Sequence, residues 1–420
     1  MEAKLYKLHF YLLCTLACFP ILNFKVANGL LILFLLLSFG LGLFQLKQLN
    51  QRSSKELLFH SSIILMILIW SYVLDKSDEA KFYAEKSLSL LVFPLAFYFS
   101  PNRFSETQKR WFYLCFGVST IAIVMYGLLK VGILFAQYLG PDKFWKNSAE
   151  LFKDPSFSHL LRSNFEIFTN IHPTYACLFL GISFIFLLKV SLRSFKLISW
   201  NRRLIILTVL ILLMVFQVIL AARTPFIATL ISSFVMFLLY QKRKRTIALF
   251  VATALLGSIA FVAFIPSFSA RFKEVSISNL SLPNAQTQNS FNIRTGIYDC
   301  TFGIIKDHWL MGVGPGKLQA QLNQCYMGIS KEVYQNQNYN THNQFLDYWA
   351  SMGILAPLLL LVNLIYLGLV NYRKKQFVAI ALCVFFFICM CTENILLRHN
   401  GIVPFALIMG LFSFNYKERT

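Results

Sequence analysis

The chain has 420 residues, 57% of them hydrophobic and only 14% charged, a balance that excludes an ordinary soluble domain. Its 39 Lys and Arg outnumber its 18 Asp and Glu, for a net charge of +21. That excess does not mark a nucleic-acid-binding protein, because the basic residues fall between apolar runs in an alternating order.

The runs are mostly of roughly 16 to 22 residues, the length that crosses a bilayer core. About twelve occur, near 8–24, 27–46, 57–74, 86–99, 111–137, 171–188, 204–222, 225–240, 246–264, 345–370, 376–391 and 402–415. The first lacks a small-residue cleavage site and is followed almost at once by another, so it reads as a retained helix. Basic clusters recur on one side of the predicted membrane: Lys47, Arg52 and Lys55; Arg103, Lys109 and Arg110; Arg202 and Arg203; Lys242 to Arg245; Arg373 to Lys375. This positive-inside alternation predicts cytoplasmic N- and C-termini. The excess charge then meets anionic membrane lipids, with no nucleic acid as partner.

Two long segments fall outside, 139–170 and 265–344, and the remaining connections are short. The expectation is an all-α polytopic membrane protein: one membrane domain over 1–420, with about twelve transmembrane helices and a large, partly helical periplasmic loop. Within that loop, NSFNIRTGIYDCTFGIIKDHW places Ile293, Ile297, the methyl of Thr301, Ile304 and Ile305 at helical spacing after an Asn/Ser cap. GVGPG, Gly312 to Gly316, ends that helix in a turn. Thr341 is read as the cap of the next one. Cys300 and Cys325 both lie in this loop. On an oxidising side they are open to a disulfide, and two free thiols are the alternative. No Cys/His spacing or acidic cluster matches a metal site, so neither metal nor other cofactor is expected.

Three ionisable residues on the outer side stand out. Arg223, in AARTP between two spans, lies close to the hydrocarbon, where a charge is costly. Thr224 and Pro225 read as the cap and first turn of the following helix, so an anion would meet a guanidinium and a helix N-terminus together. The alternative is an arginine reaching up to lipid phosphates. Arg294 sits on the amphipathic loop helix, where a solvated or ion-paired arginine is the plainer reading. His342 is placed in the first turn after Thr341, where the helix dipole keeps imidazole neutral and able to act as a general base on a sugar hydroxyl. A capping role is its alternative. Asp347 and Tyr348, about one turn on, are placed either to orient His342 or to face the interface. His172, just before Pro173, and Arg271 are secondary substrate-binding candidates. Two cations and a base suit a lipid-linked diphosphate and a nucleophile to be activated.

Four stretches resemble the O-antigen ligase and polymerase superfamily of bacterial inner-membrane glycosyltransferases: AARTPFIATLI, RTGIYDCTFGIIKDHWLMGVGPG, THNQFLDYWASMGILA and TENILLRHNGIVPFALIMGLF. The third fits the ligase signature of His-Asn, nine residues and Gly, while Ala356 departs from its continuation. The resemblance implies a GT-C-like, metal-independent, inverting transferase. Such an enzyme takes a glycan from undecaprenyl diphosphate at the periplasmic face of the inner membrane, and in ligases the acceptor is lipid A–core. It maps diphosphate binding to Arg223 and Arg294 and acceptor activation to His342. A polymerase extending a second lipid-linked glycan is the nearest alternative. A protein O-oligosaccharyltransferase and a twelve-span transporter stand further off, since no two-half repeat is visible.

Overall fold

The computed structural model describes residues 2–44, 54–100, 104–139, 155–194, 199–241, 281–284, 289–335 and 337–414. The expected span at 246–264, the cluster Lys242 to Arg245, Arg271 and parts of both outer segments lie outside these residues. Every described element is helical, with no strand among the described residues.

In chain order the helices are α1 (Glu2–Ala17), α2 (Phe24–Leu43), α3 (Ser54–His60), α4 (Ser62–Ile69), α5 (Asp78–Ser87), α6 (Ser89–Phe99), α7 (Glu106–Leu139), α8 (Pro155–Thr169), α9 (Pro173–Ser194), α10 (Trp200–Ile219) and α11 (Arg223–Tyr240). Then come α12 (Ser290–His308), α13 (Leu318–Ile329), α14 (Lys331–Tyr334), α15 (Gln344–Met352), α16 (Leu355–Arg373), α17 (Phe377–Met390) and α18 (His399–Ser413). A π-helical segment, Trp70–Asp75, extends α4. Six helices among the described residues are long and apolar enough to cross a membrane: α2, α7, α9, α10, α11 and α16. Shorter apolar helices cover Ser62–Asp75, Phe377–Met390 and His399–Ser413. Leu204, Ile205, Leu207 and Ile211 of α10 point outward, an apolar surface suited to lipid and not to water.

The chain forms two compact units from interleaved segments. The first contains Met1–Phe34, Phe104–Phe272 and Asn371–Phe385, with α9 largely buried at its centre. Gly127 of α7 leaves room for Phe165 and Thr169 of α8, and Gly181 of α9 for Thr229 and Phe385. Phe157, Leu161 and Phe165 of α8 recur every four residues and are buried, so this helix lays an apolar stripe on its unit.

The second unit contains Leu35–Arg103, Lys273–Val370 and Phe386–Thr420. It contains the expected loop helix and its neighbours. Ile297, Ile304 and Ile305 of α12 pack with Leu318, Leu322 and Tyr326 of α13, and with Val333 and Tyr334. Cys300 and Cys325 are joined, which ties α12 to α13 across 25 residues of chain. The stretch read as one span, 345–370, is divided at Gly353, which takes φ 79° between α15 and α16.

Candidate functional site

In the second unit the site is built from three loops and the start of α12. Asn289 caps α12, its Oδ1 accepting from the amides of Phe291 at 2.8 Å and Asn292 at 3.0 Å, while Asn292 returns a bond to the Asn289 amide. This fixes the first turn and puts Arg294 in the second. Its guanidinium, with a third of the side chain exposed, meets Glu393: Nη2 lies 3.1 Å from Oε1. The other oxygen of that carboxylate, Oε2, lies 3.4 Å from Nδ1 of His342. One buried-edge carboxylate therefore faces both the arginine and the histidine. Tyr298, one turn after Arg294, reaches the His342 carbonyl with its hydroxyl at 3.5 Å.

His342 differs from its expected place. Asn343 is the cap of α15, accepting from the amides of Phe345 at 2.9 Å and Leu346 at 3.1 Å, and the helix begins at Gln344. Asn343 Oδ1 reaches the free amides, whereas the Thr341 hydroxyl is occupied with Asn394 at 3.2 Å and with the Asn343 carbonyl at 3.0 Å. His342 thus precedes the cap, with φ 46°, a left-handed conformation that costs a non-glycine residue on the order of 1–3 kcal/mol. Its amide donates to Asn340 Oδ1 at 3.0 Å. The electrostatics also differ from expectation: a carboxylate, rather than a helix terminus alone, faces the ring. Nδ1 is the ring nitrogen that faces the Glu393 carboxylate.

Beneath these contacts lies a buried polar knot. Asp347, 3% exposed, accepts from Tyr83 Oη at 3.1 Å and from Asn394 Nδ2 at 2.9 Å, and Thr341 Oγ1 stands 3.5 Å away. Asp347 therefore grips the chain neighbours of His342 and Glu393. Asn343 Nδ2 donates to the Cys391 carbonyl at 3.0 Å, and Gln344 Oε1 accepts from the Leu396 amide at 2.7 Å. The loop after α17 is sewn to the start of α15 at four points.

The Gly-rich turn holds α12 against the same helix. Val313 N donates to Ala350 O at 2.9 Å, Gly314 N to Ser351 O at 2.8 Å, and Gly316 N to Asp75 Oδ2 at 2.9 Å. Those three amides are used within the protein, two on backbone carbonyls and one on the Asp75 carboxylate, so they are not open to an outside anion. A Cβ at Gly353 would strike the carbonyl of Leu310, so there is no room for a side chain at this glycine of the ligase-like stretch.

In the first unit, Arg223 is the first residue of α11, with Ala222 at the cap position and no side-chain cap bond. The expected Thr224–Pro225 cap is thus displaced by two residues. Pro225 falls in the first turn, where a missing amide hydrogen costs nothing. Ala221 turns the chain with φ 50°. His172 accepts from the Thr174 amide through Nδ1 at 3.3 Å, a capping contact at the start of α9. Glu393, Asn394 and Tyr83 were not read from the sequence as site residues. The rule that singled out Arg223, a charge in a short loop between apolar runs, applies equally to Glu393.

These features define a multi-pass helical membrane protein whose second unit presents an Arg–Glu–His arrangement on a disulfide-tied helical cap. Residues 207–361 match the family model described as O-antigen ligase, so that part of the chain is similar to the O-antigen ligase superfamily, a family of glycosyltransferase-like enzymes. The matched stretch contains Arg223, Arg294 and His342 and stops short of Glu393. No curated protein matches the chain.

Proposed function

We propose that the protein is an O-antigen ligase-type transferase that moves a glycan from undecaprenyl diphosphate to lipid A–core at the periplasmic face of the inner membrane. The observation that carries this reading is the Glu393 carboxylate shared by Arg294 and His342. With Glu393 facing Nδ1, the neutral His342 takes the acceptor hydroxyl's proton on Nε2 and becomes imidazolium. The acceptor oxygen bonds to the anomeric carbon as the bond to the diphosphate oxygen breaks, with inversion. Undecaprenyl diphosphate leaves. Arg223 and Arg294 bind the diphosphate and offset the negative charge that grows on it, work a metal would otherwise do.

This reading includes about twelve spans with both termini cytoplasmic and 265–344 periplasmic. An extended polyprenyl chain lies in the bilayer, while a donor diphosphate and a hydrophilic acceptor meet at its outer edge. A polymerase would use the same donor chemistry with a second lipid-linked glycan as acceptor. Purified protein incubated with lipid-linked glycan and either lipid A–core or a second lipid-linked glycan separates the two. Product on lipid A–core supports the ligase. Lengthened lipid-linked glycan alone would replace it with the polymerase.

A further inference from the structure

We propose that Asp347 is a positioning residue for transfer, holding the His342 loop and the Glu393 loop in register from beneath. The proposal rests on His342 acting as the base. Asp347 touches neither reacting group. It reaches Thr341, which precedes His342, and Asn394, which follows Glu393. Tyr83, from α5, closes the third side. His342 needs such a hold, because its left-handed backbone persists only where the surroundings over-determine it.

The donor pattern requires a particular charge state. Tyr83 Oη and Asn394 Nδ2 both donate to Asp347, and the Thr341 hydroxyl stands beside it. An ionised carboxylate, which only accepts, satisfies this set, whereas a protonated one sets a donor against donors. Two opposing causes act on the group. Burial pushes the carboxyl up, the hydrogen bonds from Tyr83, Thr341 and Asn394 pull it back, and the outcome is about 7. The titratable neighbours that face it are Tyr83 from α5, Tyr326 from α13 and Tyr348 on its own helix, with Ser351 bonded near Tyr83. All three phenols stay neutral in this range, since burial raises each. As pH falls through about 7, Asp347 takes up a proton and the lock loosens, so the acid side of the rate profile should carry this group.

The test uses the full-length protein in nanodiscs, with undecaprenyl-diphosphate-linked glycan extracted from host membranes as donor. Rates are measured from pH 5 to 9 for the wild type, D347N, Y83F and H342A. D347N should lower kcat about 10- to 100-fold, the cost of misplacing a reacting group by about 1 Å, while KM for the donor stays within about twofold. The acid step near pH 7 that the wild type owes to Asp347 should be missing from its profile. Y83F removes only a hydroxyl and one bond that favours the ionised form, so its acid limb should move to higher pH. If D347N does not fold, Y83F alone decides. A mutant pair with lower thermal stability but the wild-type pH profile would make Asp347 merely structural and overturn the proposal. Normal transfer by H342A would instead overturn the base reading on which it rests. Loss of transfer in H342A with an unaltered D347N would sink the positioning role alone.

Discussion

Arg294 and Glu393 lie 99 residues apart in the chain and meet at 3.1 Å, and the same carboxylate comes within 3.4 Å of His342. The contact joins the helical cap to the loop between α17 and α18. It does so within one compact unit, so the three side chains share a common scaffold.

Glu393→Gln keeps the shape but removes the charge that both partners face. Transfer should fall about 100-fold, the low end of what a general base supplies, because the imidazole loses its orienting carboxylate. Glu393→Asp should recover part of the loss. A Gln variant with wild-type kcat would detach Glu393 from the chemistry.

His342→Ala should cut transfer by about 100-fold or more while binding of undecaprenyl diphosphate survives, since the arginines hold the anion. Equilibrium binding and turnover are to be measured separately. Weakened binding with unchanged turnover at saturation would make His342 a diphosphate ligand and not a base.

Arg223→Ala and Arg294→Ala should nearly abolish transfer with the protein still folded in the membrane. Arg223→Lys should also impair turnover, because a point charge cannot reproduce the bidentate fork. Near-normal activity of Arg223→Ala on a lipid-linked donor would exclude the clamp.

Breaking the Cys300–Cys325 bridge frees 25 residues of chain in the unfolded state. By the loop-entropy argument, Cys300→Ser with Cys325→Ser should cost about 3 kcal/mol of stability in the cap. Proteolysis of α12 and α13 in nanodiscs, with and without the bridge, reads this directly. Equal resistance of the two forms would show that the packing of Ile297, Leu322 and Tyr326 suffices.

Topology is checked by membrane-impermeant thiol labelling of cysteines placed at 244 and 285 in a background whose other accessible cysteines are removed. Position 285 should label in intact spheroplasts and 244 only after lysis. The reverse pattern would move the whole proposed site to the cytoplasmic side.

By itself the sequence determined the class. The spacing of apolar runs allows only helices at membrane length, and the Asn289 cap with the isoleucine repeat foretold α12. Arg294 and His342 were legible because a charge or a titratable ring stands out against an apolar background. The cysteine pair was left open, since spacing carries no distance. Tertiary structure closed it by packing α12 against α13. It also decided that Asn343, not Thr341, caps α15, because the Thr341 hydroxyl is drawn to Asn394 from a loop 53 residues away. Glu393 and Asp347 gained their partners in the same way. A carboxylate's function depends on which donors surround it, and those donors come from segments that only the folded chain brings together.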